Sequence, residues 1–384
     1  MTLSDIAAAT ERALPEMTDD LRTLVELETP SDDKQLLNAG LAAIHGWLVA
    51  RLGEPDETER HDCGPHGDVL AVTYRGTAPG TALLLCHYDT VWPAGTLAEW
   101  PFEVADGKAT GPGVFDMKTG LVQAVWALRL LRELKLPQPT VRLMLNGDEE
   151  IGSLSSRPHI ERLSEGVLAT LVFEAAQNGA VKTSRKGVGL FDVTAHGVES
   201  HAGLDPLAGA SAIHALAEAV PHITALGAPE RGTTVNVGLI SGGTGRNVVA
   251  AQARCGIDIR VTEPAEMERI DAAFDAVAPS DPRVRLTVSG GWNRPPMVPN
   301  EPSRQLFKQA HALAAELGWE LEETAVGGAS DGNFVSALGR PVLDGLGALG
   351  SGAHARHEHT LLDAVPARTA LAVGLLQALA SDAS

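Results

Sequence analysis

Cysteine is scarce in this sequence, with three in 384 residues, and Cys63, Cys86 and Cys255 show no CxxC spacing. Cys86 and Cys255 fall in apolar, strand-like runs, where buried free thiols are the commoner outcome; a reducing cytoplasm is the expected location. Basic charge is also short: 30 Lys and Arg against 49 Asp and Glu leave a formal net charge of −19. Phosphate backbones and anionic membranes need a basic face, so no nucleic-acid or membrane partner is expected. A few local Arg and Lys can still bind an anionic small substrate, because a distant acidic surface is screened. No apolar run approaches the roughly 20 residues that span a bilayer. Met1-Thr2-Leu3-Ser4-Asp5 lacks the basic start and apolar stretch of a signal peptide. Repeats and low-complexity tracts are missing as well.

What is present is material for a large core, since 44% of the residues are hydrophobic, over a length that fits two domains better than one. A helix is expected to start at Ser31, to carry Leu36, Leu37, Leu41, Ile44, Trp47 and Leu48 on one face, and to end at Gly53. Short apolar runs at 69–74, 82–86, 141–145 and 169–173 read as buried strands, and 121–134 as a helix between the second and third. Strands spaced by helices predict a mostly parallel α/β sheet flanked by helices, whose ligand sites lie at the carboxyl ends of its strands.

From about Gly187 the pattern changes. Strand 188–195, helix 208–226, strands 234–240 and 249–261, helix 265–277 and strand 284–289 form a β-α-β-β-α-β series, the order of a ferredoxin-like α+β module. Gly290-Gly291 and Pro295-Pro296 punctuate its end. A helix at 302–317, a short strand at 341–343 and an Ala-rich final helix return to the first pattern. The expectation is a catalytic domain in two parts, 1–186 and 294–384, interrupted by an inserted lid or dimerisation domain, 187–293.

Acids and imidazoles stand where the strands end. The run 83–86 delivers His87, Tyr88 and Asp89; 141–145 delivers Asp148, Glu149 and Glu150; 171–173 delivers Glu174. Asp116 follows the Gly-rich turn Gly111-Pro112-Gly113, and Gly350-Ser351-Gly352-Ala353 delivers His354. Charged groups at buried strand ends are costly unless something compensates them, and a divalent cation does so directly. Imidazole mixed with carboxylate suits zinc, with cobalt or manganese as alternatives, and several carboxylates suit a pair of metals. Singly, each residue has an ordinary explanation: a cap, a turn or a solvated acid.

Together they resemble a known family of metallopeptidases and aminoacylases, which includes glutamate carboxypeptidase, acetylornithine deacetylase and succinyl-diaminopimelate desuccinylase. The matching stretches are LLLCHYDTV, GPGVFDMKTG, NGDEEIGS, VFEAAQNG, ESHAG and GSGAHARHE, in the family's order. The resemblance implies a zinc-exopeptidase-like fold with two divalent metal ions. His87 and Glu174 would hold one, Glu150 and His354 the other, with Asp116 bridging. Asp89 would orient the His87 imidazole. Glu149 would be the general base acting on a metal-held water. The family pattern also implies a cis peptide at Asp116-Met117. Met117 departs from it, since an acidic residue often stands there. His354 is preferred over His357 and His359 because Glu358 follows it by four residues.

His201 lies in the inserted domain; the resemblance implies that it crosses a homodimer interface and donates to the oxyanion formed in the partner's site. Asn247 in GRNVVA and Arg260 in GIDIRV match positions that hold a substrate carboxylate, for which Arg offers a planar fork. Gly328 belongs to a stretch, 327–331, that resembles a family loop whose backbone lies against substrate. Lys182, eight residues after Glu174, aligns with a lysine that contacts a glutamate side chain, and Arg294 would add a second positive charge. The expected activity is hydrolysis of a peptidyl or N-acyl amino acid with a free carboxylate, C-terminal glutamate being the first candidate. Its rivals are a small-molecule deacetylase or desuccinylase with the same chemistry, and an inactive, metal-free dimeric binding protein.

Overall fold

The computed structural model describes residues 2–382, which divide into two compact units: one of residues 2–184, 299–326 and 330–382, the other of Arg185–Val298 with Gly327–Ala329. The first is built on a six-stranded sheet. Its strands lie in the order Glu57–His61, Gly67–Tyr74, Thr140–Gly147, Thr81–His87, Ala169–Val172 and Val342–Leu343. The first two neighbour pairs are antiparallel and the other three parallel. The sheet is thus mixed with a parallel majority. Thr81–His87 sits between two parallel partners, and Ala82 to Cys86 are all at most 1% exposed. That two-sided burial is why the run is continuously apolar rather than alternating.

Helix Thr119–Glu133 is buried from Thr119 through Leu128, and it packs with helices Leu3–Val25 and Val365–Asp382 in the same core. The stretch Leu362–Ser381 is long and apolar enough to cross a bilayer, with 72% of its most apolar window buried in the protein. This corrects the expectation that no such run exists; its hydropathy is that of a core helix.

Helix Lys34–Leu52 ends at Gly53, as expected, but begins later than Ser31. Its cap is Asp33, whose side chain accepts from the backbone N–H of Gln35 and Leu36 at 2.9 and 3.0 Å. Ser31 points elsewhere, to Asp89. A small second sheet orders Gly350–Ser351, His359–Leu361, Lys108–Thr110 and Glu103–Ala105. Pairing of His359 with Thr110 brings the turn of His354 to the turn of Asp116.

The second unit is a four-stranded antiparallel sheet in the order Thr234–Gly242, Gln252–Val261, Gly187–His196, Arg285–Arg294. Helices Ala212–Thr224 and Pro264–Asp275 share one core with its inward residues, among them Val193, Ala195, Cys255, Ile257 and Ile259. Order and connectivity are those of a ferredoxin-like module. The last strand runs on through Gly290-Gly291, which the sequence reading takes as its end; it reaches Arg294 opposite Val188, and Met297 still bonds to Arg185. All three cysteines are buried and free.

Candidate active site

The catalytic unit gathers its acids and imidazoles at the carboxyl ends of the parallel strands. His87 closes Thr81–His87 and is 2% exposed. Its Nδ1 faces Asp89, 3.0 Å from the backbone oxygen and 3.4 Å from Oδ1. Its Nε2 faces Asp116 Oδ1 at 3.2 Å and Glu174 Oε1 at 3.5 Å. With the proton on Nδ1 held by Asp89, Nε2 is the ring atom turned to the acids, where a cation would take it as a ligand.

Asp116 is delivered by the turn 111–116. Gly113 there sits at φ 73°, and a Cβ would come within 2.5 Å of Thr90 Cγ2, so only glycine fits. The Asp116-Met117 peptide is cis, as the family pattern implies. Met117 is buried, and its sulfur accepts the His87 backbone N–H at 3.2 Å. The other Asp116 oxygen, Oδ2, lies 3.6 Å from His354 Nε2, which in turn meets Glu150 Oε2 at 2.9 Å. Asp116 therefore offers one oxygen to each imidazole.

Donor atoms of His87, Asp116 and Glu150 all lie within 4.8 Å of one another, as do those of His87, Glu149 and Glu174. Ligand atoms at 2.0–2.2 Å from a tetrahedral cation stand about 3.3–3.6 Å apart. The imidazole–carboxylate spacings of 2.9 to 3.6 Å fall around that range, so the donor set fits divalent metal. The electrostatics agree. Burial opposes charge on His87, yet Asp116, Asp89 and Glu174 outweigh it and hold its pKa well above the ordinary value. Burial and the Asp116 charge push Glu150 up to about 7, and its hydrogen bond to Glu150 raises His354 to about 9. The cluster draws positive charge, a demand that a cation meets.

Asp89 organises this end of the sheet. It accepts the Ser31 hydroxyl at 2.8 Å and the backbone N–H groups of Glu149 and Glu150 at 3.3 and 3.2 Å. One carboxylate thereby orients His87 and fixes the turn carrying both glutamates. Burial works to raise the Asp116 pKa, but His87 foremost, then His354 and buried Lys182 on strand Val181–Arg185, bring it below its ordinary value.

The remaining expected residues belong to the second unit. His201 is exposed, and its Nδ1 accepts the backbone N–H groups of Gly203 and Leu204, both at 3.1 Å. Its ring proton is therefore on Nε2, which makes that atom a donor. Asn247 lies in the adjoining turn; its carbonyl accepts the Ala202 N–H. Arg260 is held by Asp258 through contacts of 2.9 to 3.2 Å, so any substrate carboxylate must compete with that acid. Arg294 is buried at the end of its strand. The Gly328 carbonyl accepts from Arg185 at 3.1 Å and that of Ala329 at 3.2 Å.

Sequence reasoning missed Ser31, Arg185 and the structural part played by Glu358, which accepts backbone N–H groups from the Asp116 turn. Ser31 and Arg185 sit in no chemical motif. Glu358 lies inside GSGAHARHE, where it served only to choose among histidines.

An α/β domain whose strand ends gather residues that could hold metal, with a ferredoxin-like insertion, is an architecture suited to a metal-dependent hydrolase. The profile of Peptidase family M20/M25/M40 matches residues 83–378, and the chain belongs to that family. Carboxypeptidase G2 of Pseudomonas sp. (strain RS-16) is 30% identical, over 97% of this chain and 91% of its own length. Succinyl-diaminopimelate desuccinylase of Variovorax paradoxus (strain S110) is 27% identical, over 86% and 89%. Among solved structures, aminopeptidase PepT from Bacillus cereus ATCC 10987 has a TM-score of 0.78 at 21% identity, covering 96% of this chain and 99% of that one. The M20 family metallo-carboxypeptidase Sso-CP2 from Sulfolobus solfataricus has 0.75 at 18%, covering 95% and 99%. At these identities the structures speak for the fold. Members of this family use metal ions, and the cluster is where this chain would hold them.

Proposed function

We propose that this protein uses two divalent metal ions, zinc by the chemistry of its donors, to hydrolyse the amide bond of a peptidyl or N-acyl amino acid with a free carboxylate. The observation that carries the reading is the split of Asp116: Oδ1 lies toward His87 and Oδ2 toward His354. His87 and Glu174 would hold one ion, and Glu150 and His354 the other. When bound, such ions polarise the scissile carbonyl and acidify water. Glu149 takes a proton from the attacking water and hands it to the departing nitrogen. Asp89 keeps the His87 ring in the tautomer that faces the acids.

The residue released is proposed to be acidic, glutamate in the first instance, with Lys182 and Arg294 as the cations and Asn247 and Arg260 for the α-carboxylate. The backbone at Gly328 would line the substrate. The kinship with a desuccinylase supports a second reading, a small-molecule deacylase with the same chemistry. A panel of peptidyl and N-acyl amino acids, read by free amino acid released, separates them. Release is expected only beside a free α-carboxylate; equal kcat/KM on carboxamide-blocked substrates overturns the reading.

The active form is proposed to be a homodimer in which the partner subunit's His201 donates through Nε2 to the oxyanion. Leu204 and Leu207, next to His201, are 82% and 88% exposed, and Leu239 and Ile240 on the edge strand Thr234–Gly242 are 70% and 66% exposed. Apolar side chains on a free sheet edge call for a cover. Mixing His201→Ala subunits with Glu149→Ala subunits, each inactive alone, should restore part of the activity, because one mixed site keeps both groups. No recovery after subunit exchange counts against shared sites.

A further inference from the structure

We propose that Glu358 is a positioning residue that sets the spacing between the metal positions, by holding the turn of Asp116 to the turn of His354. The inference rests on the two-metal reading above. Glu358 is 0% exposed. Its Oε1 accepts the backbone N–H of Phe115 at 2.9 Å and of Asp116 at 3.1 Å. Its Oε2 accepts the backbone N–H of Gly113 at 3.2 Å and the indole N–H of Trp92 at 2.9 Å. Four donors on two oxygens fill the accepting capacity of a carboxylate. Three of them come from the turn that delivers Asp116, so that backbone cannot shift without breaking bonds to one buried group.

The same residue is tied to His354. The Glu358 N–H donates to the Ala355 carbonyl, and the Ala355 N–H to that of Gly352, both at 2.9 Å. Gly352 sits at φ 89°, and a Cβ there would meet the Glu358 backbone at 2.9 Å. His354 itself is at φ 61°, in the left-handed region that few side chains adopt. The turn 352–358 is thus compact, and its one inward carboxylate reaches back some 240 residues to the backbone of Asp116. The 3.6 Å gap between Asp116 Oδ2 and His354 Nε2 is spanned from behind by this link.

A merely structural residue and a positioning residue part company in Glu358→Gln. The amide has the same shape, but its NH₂ must face N–H donors, so two of the four bonds are lost. In the variant, judged folded by thermal unfolding, zinc competition against a chromophoric chelator should show the weaker binding step loosened by about 10–100-fold. kcat should fall with KM little changed. Trp92→Phe removes only the indole donor and should loosen that step less. Glu358→Asp keeps the acceptors on a shorter arm and should fall between the two.

A folded Glu358→Gln protein that binds zinc as the wild type does overturns the proposal. If that variant does not fold, unchanged zinc binding in both Glu358→Asp and Trp92→Phe overturns it equally. A wild-type protein that takes up fewer than two zinc equivalents sinks the two-metal reading itself, and this proposal with it.

Discussion

Glu149→Ala is expected to lower kcat by about 10²–10⁴-fold, the range of a lost general base, with metal content unchanged. The expectation follows from placement. Glu149 is 9% exposed, in a turn whose N–H groups are pinned by Asp89, and its carboxylate lies with the donors of His87 and Glu174. Its neighbour Glu150 points instead to His354. Glu150 thus lies between His354 and the His87–Asp116 pair, whereas Glu149 groups with His87 and Glu174. Steady-state rates and elemental analysis of the same preparation decide the matter. Retained turnover removes Glu149 as the base. Lost metal makes it a ligand, a role its distance to His87 also permits.

Asp116→Ala should have the widest effect of any single change. Because its two oxygens face different imidazoles, removing them should weaken both proposed metal positions at once. Residues behind the ligands typically cost 10–100-fold in metal affinity, so loss of a shared ligand should exceed about 100-fold. Activity should fall to background. Glu174→Ala and His354→Ala, in contrast, should each spare one equivalent. Titration of the metal-free proteins with zinc separates the patterns; one tight equivalent surviving in Asp116→Ala refutes the bridging role.

The parts of this fold that could be read from sequence are those with strong burial patterns. The sheet core at 82–86, 141–145 and 169–173 is apolar but for Arg142 and Thr170, and the inserted unit alternates cleanly, as in Gln252–Val261. Helix Leu3–Val25 passed unnoticed although it buries Ile6, Met17, Leu21 and Leu24, because Thr10 and Asp20 interrupt the buried face and Pro15 lies inside the helix. Strand Glu57–His61 is an edge of charged residues, exposed at Glu57, Thr58 and Arg60. The strands at Lys108–Thr110 and His359–Leu361 have three residues each, too few to show a period.

The site divides along a similar line. His87, Asp116, Glu150 and Glu174 were legible because each follows a strand or a Gly-rich turn, where a buried acid or imidazole needs a reason. Ser31 and Glu358 make hydrogen bonds to groups 58 and some 240 residues away, which no local pattern reveals, although Glu358 itself stands inside a recognised stretch. Ser31 shows how local grammar misleads: it is a good helix cap by type, yet Asp33 takes that place.

The central position of the last helix has a consequence for the order of events at the ribosome. Val365–Asp382 packs against Leu3–Val25 and against Thr119–Glu133, so the main core cannot close until residues 365–382 have been translated. The inserted unit is almost continuous in the chain and can mature while the rest is still emerging. Five of the six strands of the larger sheet lie between residues 57 and 172 and pair with one another, so the part of the core that depends on distant sequence is its helical cover.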